Sequence, residues 1–366
     1  MDPTSIIRPK MPELDSLRGV AILSVVFYHA FNWSYGNYQF GQLGRLFIQT
    51  SRIGWLGVNL FFVLSGFLIT GILLDSRPSP NYFLRFYVRR ALRILPIFYL
   101  VLFLLVWIPG QSHAFLWMSF LYLSNFAPLF GVPMTYPILW SLAVEEHFYF
   151  FWPLVVRRFS SRGVLWVATA IAVIVPALRA LHYSAESSEG LIYLTWLVAD
   201  GLAMGAMLAV FVRRPQCTRE ALSRVSIAAM GLAVLMLAAG APFGILSRIR
   251  LLGSSLLLTA AHLFFAGLLG MTLLLGTGRW KTAVNRPVLQ FFGEVSYGLY
   301  LIHLLVFLWY DGLVKSHWMS LQPSDGKFYL VLFRFAVGGG IATGLAFLSR
   351  RFFEEKFLRM KDRFAF

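Results

Sequence analysis

Ten apolar runs, each about 18–25 residues and so long enough to cross a bilayer as a helix, follow one another along the 366 residues of the chain. They fall near 14–33, 54–75, 92–109, 138–157, 163–181, 191–211, 225–241, 251–276, 288–310 and 328–349. Lipid offers no partner for backbone amides, so a chain with such runs satisfies them within helices. The expectation is an all-α, polytopic integral membrane protein, with about ten transmembrane helices around a central polar cavity. Composition agrees. The chain is 58% hydrophobic and 13% charged, where soluble domains run at about 45–50% and about 25%. It reads as a single transmembrane domain over 1–366, with no appended soluble domain and with 350–366 as a basic cytoplasmic tail anchored at the interface. No short cleaved leader is expected, because the first run lacks a small-residue cleavage site and a second full run follows it.

The stretch 114–130 is apolar but short, and Pro109, Pro128, Pro133 and Pro137 crowd it. It reads as an eleventh span or as a segment that dips in and returns. Loop charge arbitrates. With ten spans and a cytoplasmic N-terminus, most of the 32 basic residues gather on one side. The outer side then keeps Arg45, Arg52, Arg179, Arg248, Arg250, Lys315 and Lys327, while Arg18 and Arg334 lie within spans. The positive-inside rule therefore favours ten spans with both termini cytoplasmic. The formal charge of +16 reads as contact with anionic lipid rather than with nucleic acid. The lone cysteine, Cys217 in VRRPQCTRE, excludes a disulfide framework and any CxxC site, and its plain reading is a loop thiol.

Several polar groups stand where an anchor would carry none. In ELDSLRGVAILSVVFYHAF, Asp15 and Arg18 open the run and His29 lies near its outer end. Eleven positions separate Arg18 from His29. On a helix that places both on one face, within about 20° and about 16 Å apart. Glu145, Glu146 and His147 lie in LWSLAVEEHFYFFWP, Ser65 in NLFFVLSGFLIT, and Asp200 and His262 in mid-span. Glu294, Ser296, Tyr297 and His303 belong to GEVSYGLYLIH. Each charge at the bilayer centre costs at least about 2.5 kcal/mol, so these groups are expected to converge on a cavity. Taken singly they have plainer readings: His262 as a structural group, one of the Glu pair as an arginine's partner, His303 as structure or substrate contact. In NYFLRFYVRRALRILP, Arg85, Arg89 and Arg93 recur on one helical face and Arg90 completes an RxxR pair with Arg93. Arginine's planar fork suits phosphate, so this stretch is a candidate pyrophosphate site. No phosphate-binding glycine loop, dinucleotide fingerprint, HExxH or other metal site is present.

Five of these segments carry a resemblance. ELDSLRGVAILSVVFYHA, NLFFVLSGFLIT, YVRRALRILPIFYL, LWSLAVEEHFYFFWP and GEVSYGLYLIH, in that order, resemble the membrane-bound acyltransferase-3 family, which O-acylates carbohydrates and some natural products. The resemblance implies a ten-span enzyme of a bacterial cytoplasmic membrane that takes an acyl group, most often acetyl, from cytoplasmic acyl-CoA (acetyl-CoA) as co-substrate. The family's Arg-x10-His pattern falls on Arg18 and His29, its RxxR on Arg90 and Arg93, its acidic motif on Ser141 and Glu145. One departure is His147, where the family usually has Gln. Some members carry an extra extracytoplasmic hydrolase-like domain, which is not expected here.

The chemistry expected of such a site follows from its groups. An acceptor hydroxyl attacking a thioester needs a base, and imidazole has the right basicity. His29 is the candidate, with Asp15 or Glu145 as the carboxylate that orients it; depth favours Glu145, since Asp15 lies about 20 Å away along the helix. Arg18, Arg90 and Arg93 would hold the CoA phosphates. Trp140, Tyr297 and Trp309 would stack on a sugar, and Ser65, Ser141 and Tyr297 are alternative oxyanion donors. Direct transfer and a transient acyl-His29 stay open. The rival class is a proton-coupled transporter or flippase, which also uses intramembrane Asp, Glu and His, and a plainer one is a scaffold glued by polar contacts.

Overall fold

A computed structural model of the protein describes residues 6–8, 10–183, 193–275 and 281–360. Among the described residues every regular element is helical. The order is α1 (Pro12–Tyr28), a π-helical turn (His29–Trp33), α2 (Gln42–Ser51), α3 (Leu56–Ser76), α4 (Tyr82–Val106), α5 (His113–Phe120), α6 (Leu139–Arg158) and α7 (Ser161–Leu181). There follow α8 (Thr195–Phe211), α9 (Arg219–Gly240), α10 (Leu251–Leu275), α11 (Lys281–Val284), α12 (Pro287–Glu294), α13 (Ser296–His317), α14 (Phe328–Leu348) and α15 (Glu355–Met360). Starts are marked where the sequence allows. Pro12 and Pro287 occupy first-turn positions that need no N–H. Ser112, Ser160 and Thr218 accept a hydrogen bond from the backbone N–H three residues on.

Among the described residues, seven helical stretches are long and apolar enough to cross a membrane: Pro12–Trp33, Gln42–Asp75, Ser161–Leu181, Arg219–Phe243, Leu251–Leu275, Ser296–His317 and Phe328–Met360. The chain is thus a polytopic all-α membrane protein. Helices also form at the other three expected runs. There α4 carries Arg85, Arg89, Arg90 and Arg93, α6 carries Glu145 and Glu146, and α8 has only 17 residues.

One open reading is decided and one expectation is revised. The stretch 114–130 is no through-going helix: α5 ends at Phe120 and a 3₁₀ segment follows from Ser124 to Phe130. Between them Tyr122 takes a left-handed φ of 57°, held there as its ring stacks 4.4 Å from that of Phe98. Eight residues rise only about 12 Å, well short of the bilayer core. A second π turn (Ser349–Glu354) joins α14 to α15 in one helical run. Arg179 is not an outer-loop charge. It is 3% exposed and paired with Asp200.

Two close helix contacts set the frame. Gly66 of α3 and Gly205 of α8 face each other's backbones, such that a Cβ at Gly66 would overlap the Leu202 carbonyl and one at Gly205 the Val63 carbonyl. Gly19 of α1 and Gly293 of α12 do the same with Leu289 and Asp15. Small residues let backbones approach where lipid supplies no hydrophobic drive. These contacts hold α3 between α1 and α8 and bring α12–α13 against α1, so that α1, α3, α6 and α13 wall the interior.

Candidate active site

Two cavities open in this interior, with α4 adding to the wall of the first and α8 and α10 to that of the second. The inner one, about 820 Å³, is lined by Arg18 of α1, Ser65 of α3, Arg90 and Arg93 of α4, Glu145 of α6 and Tyr297 of α13. The second, about 740 Å³, is lined by His29, Trp33, Trp55, Asn59, Trp140 and Arg248 among others. Val58 and Tyr300 belong to both linings and form the wall between them. The Tyr300 hydroxyl holds that wall: it lies 2.6 Å from Ser141 Oγ and donates to the Ile138 carbonyl at 3.1 Å. Beyond the second cavity a wide vestibule of about 1860 Å³ shares Tyr28, Trp33, Trp55 and Arg248 with it.

The arginines meet the inner cavity selectively. Arg18 donates to Asp15 at 3.0 Å. Arg90 sits 5.5 Å from the Tyr149 ring centroid, in cation–π range. Arg85 and Arg89 do not line this cavity; they share the face of Arg93 but lie about 12 and about 6 Å before it along α4. Glu145 accepts a hydrogen bond from the Tyr149 hydroxyl at 2.7 Å, and that hydroxyl lies 3.3 Å from Ser65 Oγ. Tyr297 donates to the Ile94 carbonyl at 3.2 Å.

His29 stands on the other side of the wall. It opens the π turn, whose wider ring frees its carbonyl to accept from Ser34 Oγ at 2.7 Å. Such single π turns recur at functional sites. Its Nδ1 lies 2.9 Å from the Val25 carbonyl and 3.2 Å from Nε2 of His303. The structure therefore brings His29 to His303 and not to Glu145 or Asp15. Trp140 lines the His29 cavity, its ring edge-on to Phe62. Trp309 is 55% exposed and lines none of these spaces. His147 is tied to α8 by Thr195 Oγ1 at 2.7 Å and stacks on Phe126.

The expected single convergence of polar groups is thus a partition into three. The third set is sealed from both cavities except at Asn59. Asp200 accepts from Arg179 at 2.8 and 3.1 Å and from Thr259 Oγ1 at 2.8 Å, and lies 3.2 Å from His262 Nδ1. His262 Nε2 then meets Asn59 Oδ1 at 2.8 Å. Among the described residues no three of His, Cys, Asp and Glu gather as metal ligands would. Tyr300, Tyr149, Trp33 and Trp55 were not singled out from the sequence. Tyr149 had a signal, one turn after Glu145, and Tyr300 another, one turn before His303; the two tryptophans had none.

Helices that wall an arginine-lined cavity, with an imidazole behind a shared partition, define a membrane protein with a built polar site and not a passive anchor. The chain belongs to the acyltransferase-3 family, whose model, described as an acyltransferase domain, matches residues 11–351. Among similar proteins, YrhL of Bacillus subtilis (strain 168), provisionally named a peptidoglycan O-acetyltransferase, is 36% identical over 187 residues, which cover 45% of this chain and 27% of YrhL. The peptidoglycan O-acetyltransferase OatA of Listeria monocytogenes is 32% identical over 174 residues, 41% of this chain and 25% of its own. The O-acetyltransferase OatA of Staphylococcus aureus (strain NCTC 8325) is 28% identical over 255 residues, 62% and 40%. The matches thus span between a quarter and two fifths of these relatives' length. No solved structure matches the chain significantly.

Proposed function

We propose that this protein is a membrane O-acyltransferase that moves an acyl group, acetyl in the first instance, from cytoplasmic acyl-CoA to a hydroxyl of a cell-envelope carbohydrate. One observation carries the reading: a cavity lined by Arg18, Arg90 and Arg93 and a cavity lined by His29 meet at a partition made by Val58 and Tyr300. Arginines are suited to CoA phosphates, and a pantetheine arm is a flexible linker that carries a thioester toward the partition. The outer aromatic residues Trp33, Trp55 and Trp140 offer flat apolar faces to a sugar, with Asn59 as a polar neighbour. The relatives' names as O-acetyltransferases support the acetyl group and, for two of them, a peptidoglycan acceptor.

In this reading His29 takes the proton of the acceptor hydroxyl as its oxygen attacks the thioester carbonyl. The C–S bond breaks, the acyl oxygen ester forms, and the imidazolium returns its proton to the leaving thiolate to give CoA–SH. Loop charge supports the arginine cavity as the cytoplasmic one, with both termini on that side and the vestibule facing outward in a bacterial cytoplasmic membrane. The test is the O-acyl content of envelope glycans, read by mass spectrometry after mild base release, in a deletion strain complemented with wild type, His29→Ala, or Arg90→Ala plus Arg93→Ala. Ester lost in both variants at equal protein level is expected. Ester retained with His29→Ala would sink the assignment of the base. If the wild type adds no ester, CoA binding to the purified protein separates an enzyme with another acceptor from a carrier.

A further inference from the structure

His29 and His303 lie 274 positions apart in sequence, yet their rings meet at 3.2 Å. Their contacts fix where the protons sit. His303 is fully buried on α13, and its Nδ1 lies 2.9 Å from the Leu299 carbonyl oxygen. A carbonyl only accepts, so this Nδ1 carries the hydrogen and, in the neutral ring, Nε2 keeps its lone pair. That lone pair faces His29 Nδ1. The second neighbour of His29 Nδ1 is the Val25 carbonyl oxygen, another acceptor, at 2.9 Å. Both neighbours demand a hydrogen on His29 Nδ1. With the two rings neutral, a single arrangement satisfies all three contacts, and it leaves His29 Nε2 unprotonated.

We infer that His303 is a positioning residue: it selects the Nδ1–H tautomer of His29, so that Nε2 is the atom left to receive the acceptor's proton. This rests on the reading of His29 as the base. In a hydrolase triad a buried carboxylate fills the corresponding place. Here the carboxylates are committed elsewhere: Glu145 to Tyr149, Asp15 to Arg18 and Asp200 to Arg179. A neutral imidazole does the same orienting without a buried charge, which lipid-depth burial would penalise heavily. When His29 is protonated at Nε2 during transfer, its Nδ1–H still donates to His303 Nε2, and the bond strengthens because the donor is now charged. The proton gained at Nε2 leaves from Nε2 to the thiolate, so His303 ends the cycle as it began. His303 lines none of the cavities, which separates it from a substrate contact.

The test compares His303→Leu, which cannot accept, with His303→Gln, whose amide oxygen can. Envelope O-acyl ester is followed in complemented cells at equal protein level, and CoA affinity is measured on purified protein. His303→Leu is expected to slow ester formation about a hundredfold, at the lower end of what a positioned base contributes, with CoA affinity unchanged. His303→Gln is expected to recover most of the rate. In parallel, ¹⁵N spectra of histidine-labelled wild type, assigned with His29→Gln, are expected to show His29 with Nδ1 protonated and Nε2 bare. An Nε2–H tautomer overturns the inference whatever the variants do. So does an equal rate loss in Gln and Leu variants that bind CoA normally, or no loss in either. If His29→Ala itself keeps full activity, the base reading falls and takes this inference with it; if only the His303 variants are silent, the base reading stands alone.

Discussion

Tyr300 and Ser141 share a hydrogen bond of 2.6 Å between α13 and α6, and that bond sits in the partition between the two cavities. The phenol lines both cavities, so on the proposed function it stands where the thioester and its acceptor would meet. Removing only the hydroxyl keeps most of the partition; removing the ring joins the arginine cavity to the His29 cavity and, through it, to the vestibule. Tyr300→Phe is therefore expected to keep transfer within about threefold. Tyr300→Ala is expected to raise acceptor-independent release of CoA from acetyl-CoA by about tenfold or more, because exclusion of water is what protects a reactive acyl donor. Purified protein in nanodiscs, assayed for free thiol without acceptor, reads this directly; equal hydrolysis in Ala and wild type would show that the partition does not lie on the acyl path.

The arginines divide by cavity and not by sequence periodicity. Arg90 and Arg93 line the inner cavity and Arg85 and Arg89 do not, although Arg85, Arg89 and Arg93 share the i, i+4, i+8 spacing. Arg90→Ala and Arg93→Ala are expected each to weaken acetyl-CoA binding by about tenfold, the scale of one charge-assisted contact. Arg85→Ala and Arg89→Ala are expected to stay within about twofold. Arg90→Lys is expected to restore little, as lysine lacks the planar fork. Isothermal titration of CoA against the four single variants decides it, and four equal losses would point to a diffuse basic surface instead of a site.

The sequence carried the all-α, polytopic class well, because the length of an apolar run is a one-dimensional property; among the described residues seven of the helical stretches are long and apolar enough to cross a membrane. The shared face of Arg18 and His29 was equally legible, since α1 is regular up to Tyr28. What failed was lateral placement. Glu145 and His29 come out close when only depth is counted, yet Tyr300 and Val58 stand between their cavities. Depth orders groups along the membrane normal and says nothing about which helices separate them. The His29–His303 contact joins the first and a late helix, beyond any local pattern. Arg179 was misplaced for a related reason: hydropathy assigns a helix-end arginine to the loop, while its partner Asp200 lies on a different helix that draws it inward.

That buried set makes its own prediction. Asp200 is fully buried and takes hydrogen bonds from Arg179 and Thr259. Arg179→Met strands the carboxylate and is expected to cost about 3–5 kcal/mol, as for other broken buried pairs. Replacing both partners, Arg179→Met with Asp200→Leu, removes the stranded charge and is expected to regain most of that loss. Thermal unfolding of detergent-solubilised protein gives the comparison. A double variant no better than the single would mean that the remaining contacts, Thr259 and His262, need the carboxylate as much as Arg179 does.

Gly66 and Gly205 offer a test of the frame itself. Each would drive a Cβ into the opposite helix's carbonyl, so either Gly66→Ala or Gly205→Ala must push α3 and α8 apart. Once the helices have separated for one methyl group, the second meets space already opened. The two losses are therefore expected to be strongly non-additive. Each single change is expected to cost about 1–3 kcal/mol, as other overpacked contacts do, with the pair well below the sum. Because α3 carries Ser65 on the inner cavity and Val58 in the partition, the same shift should reach the site. Transfer is expected to fall in both single variants even at temperatures where they remain folded. A thermal double-mutant cycle alongside ester formation checks both halves: additive destabilisation would mean that the glycines act at separate contacts, and unchanged transfer that α3 moves without carrying the cavity wall with it.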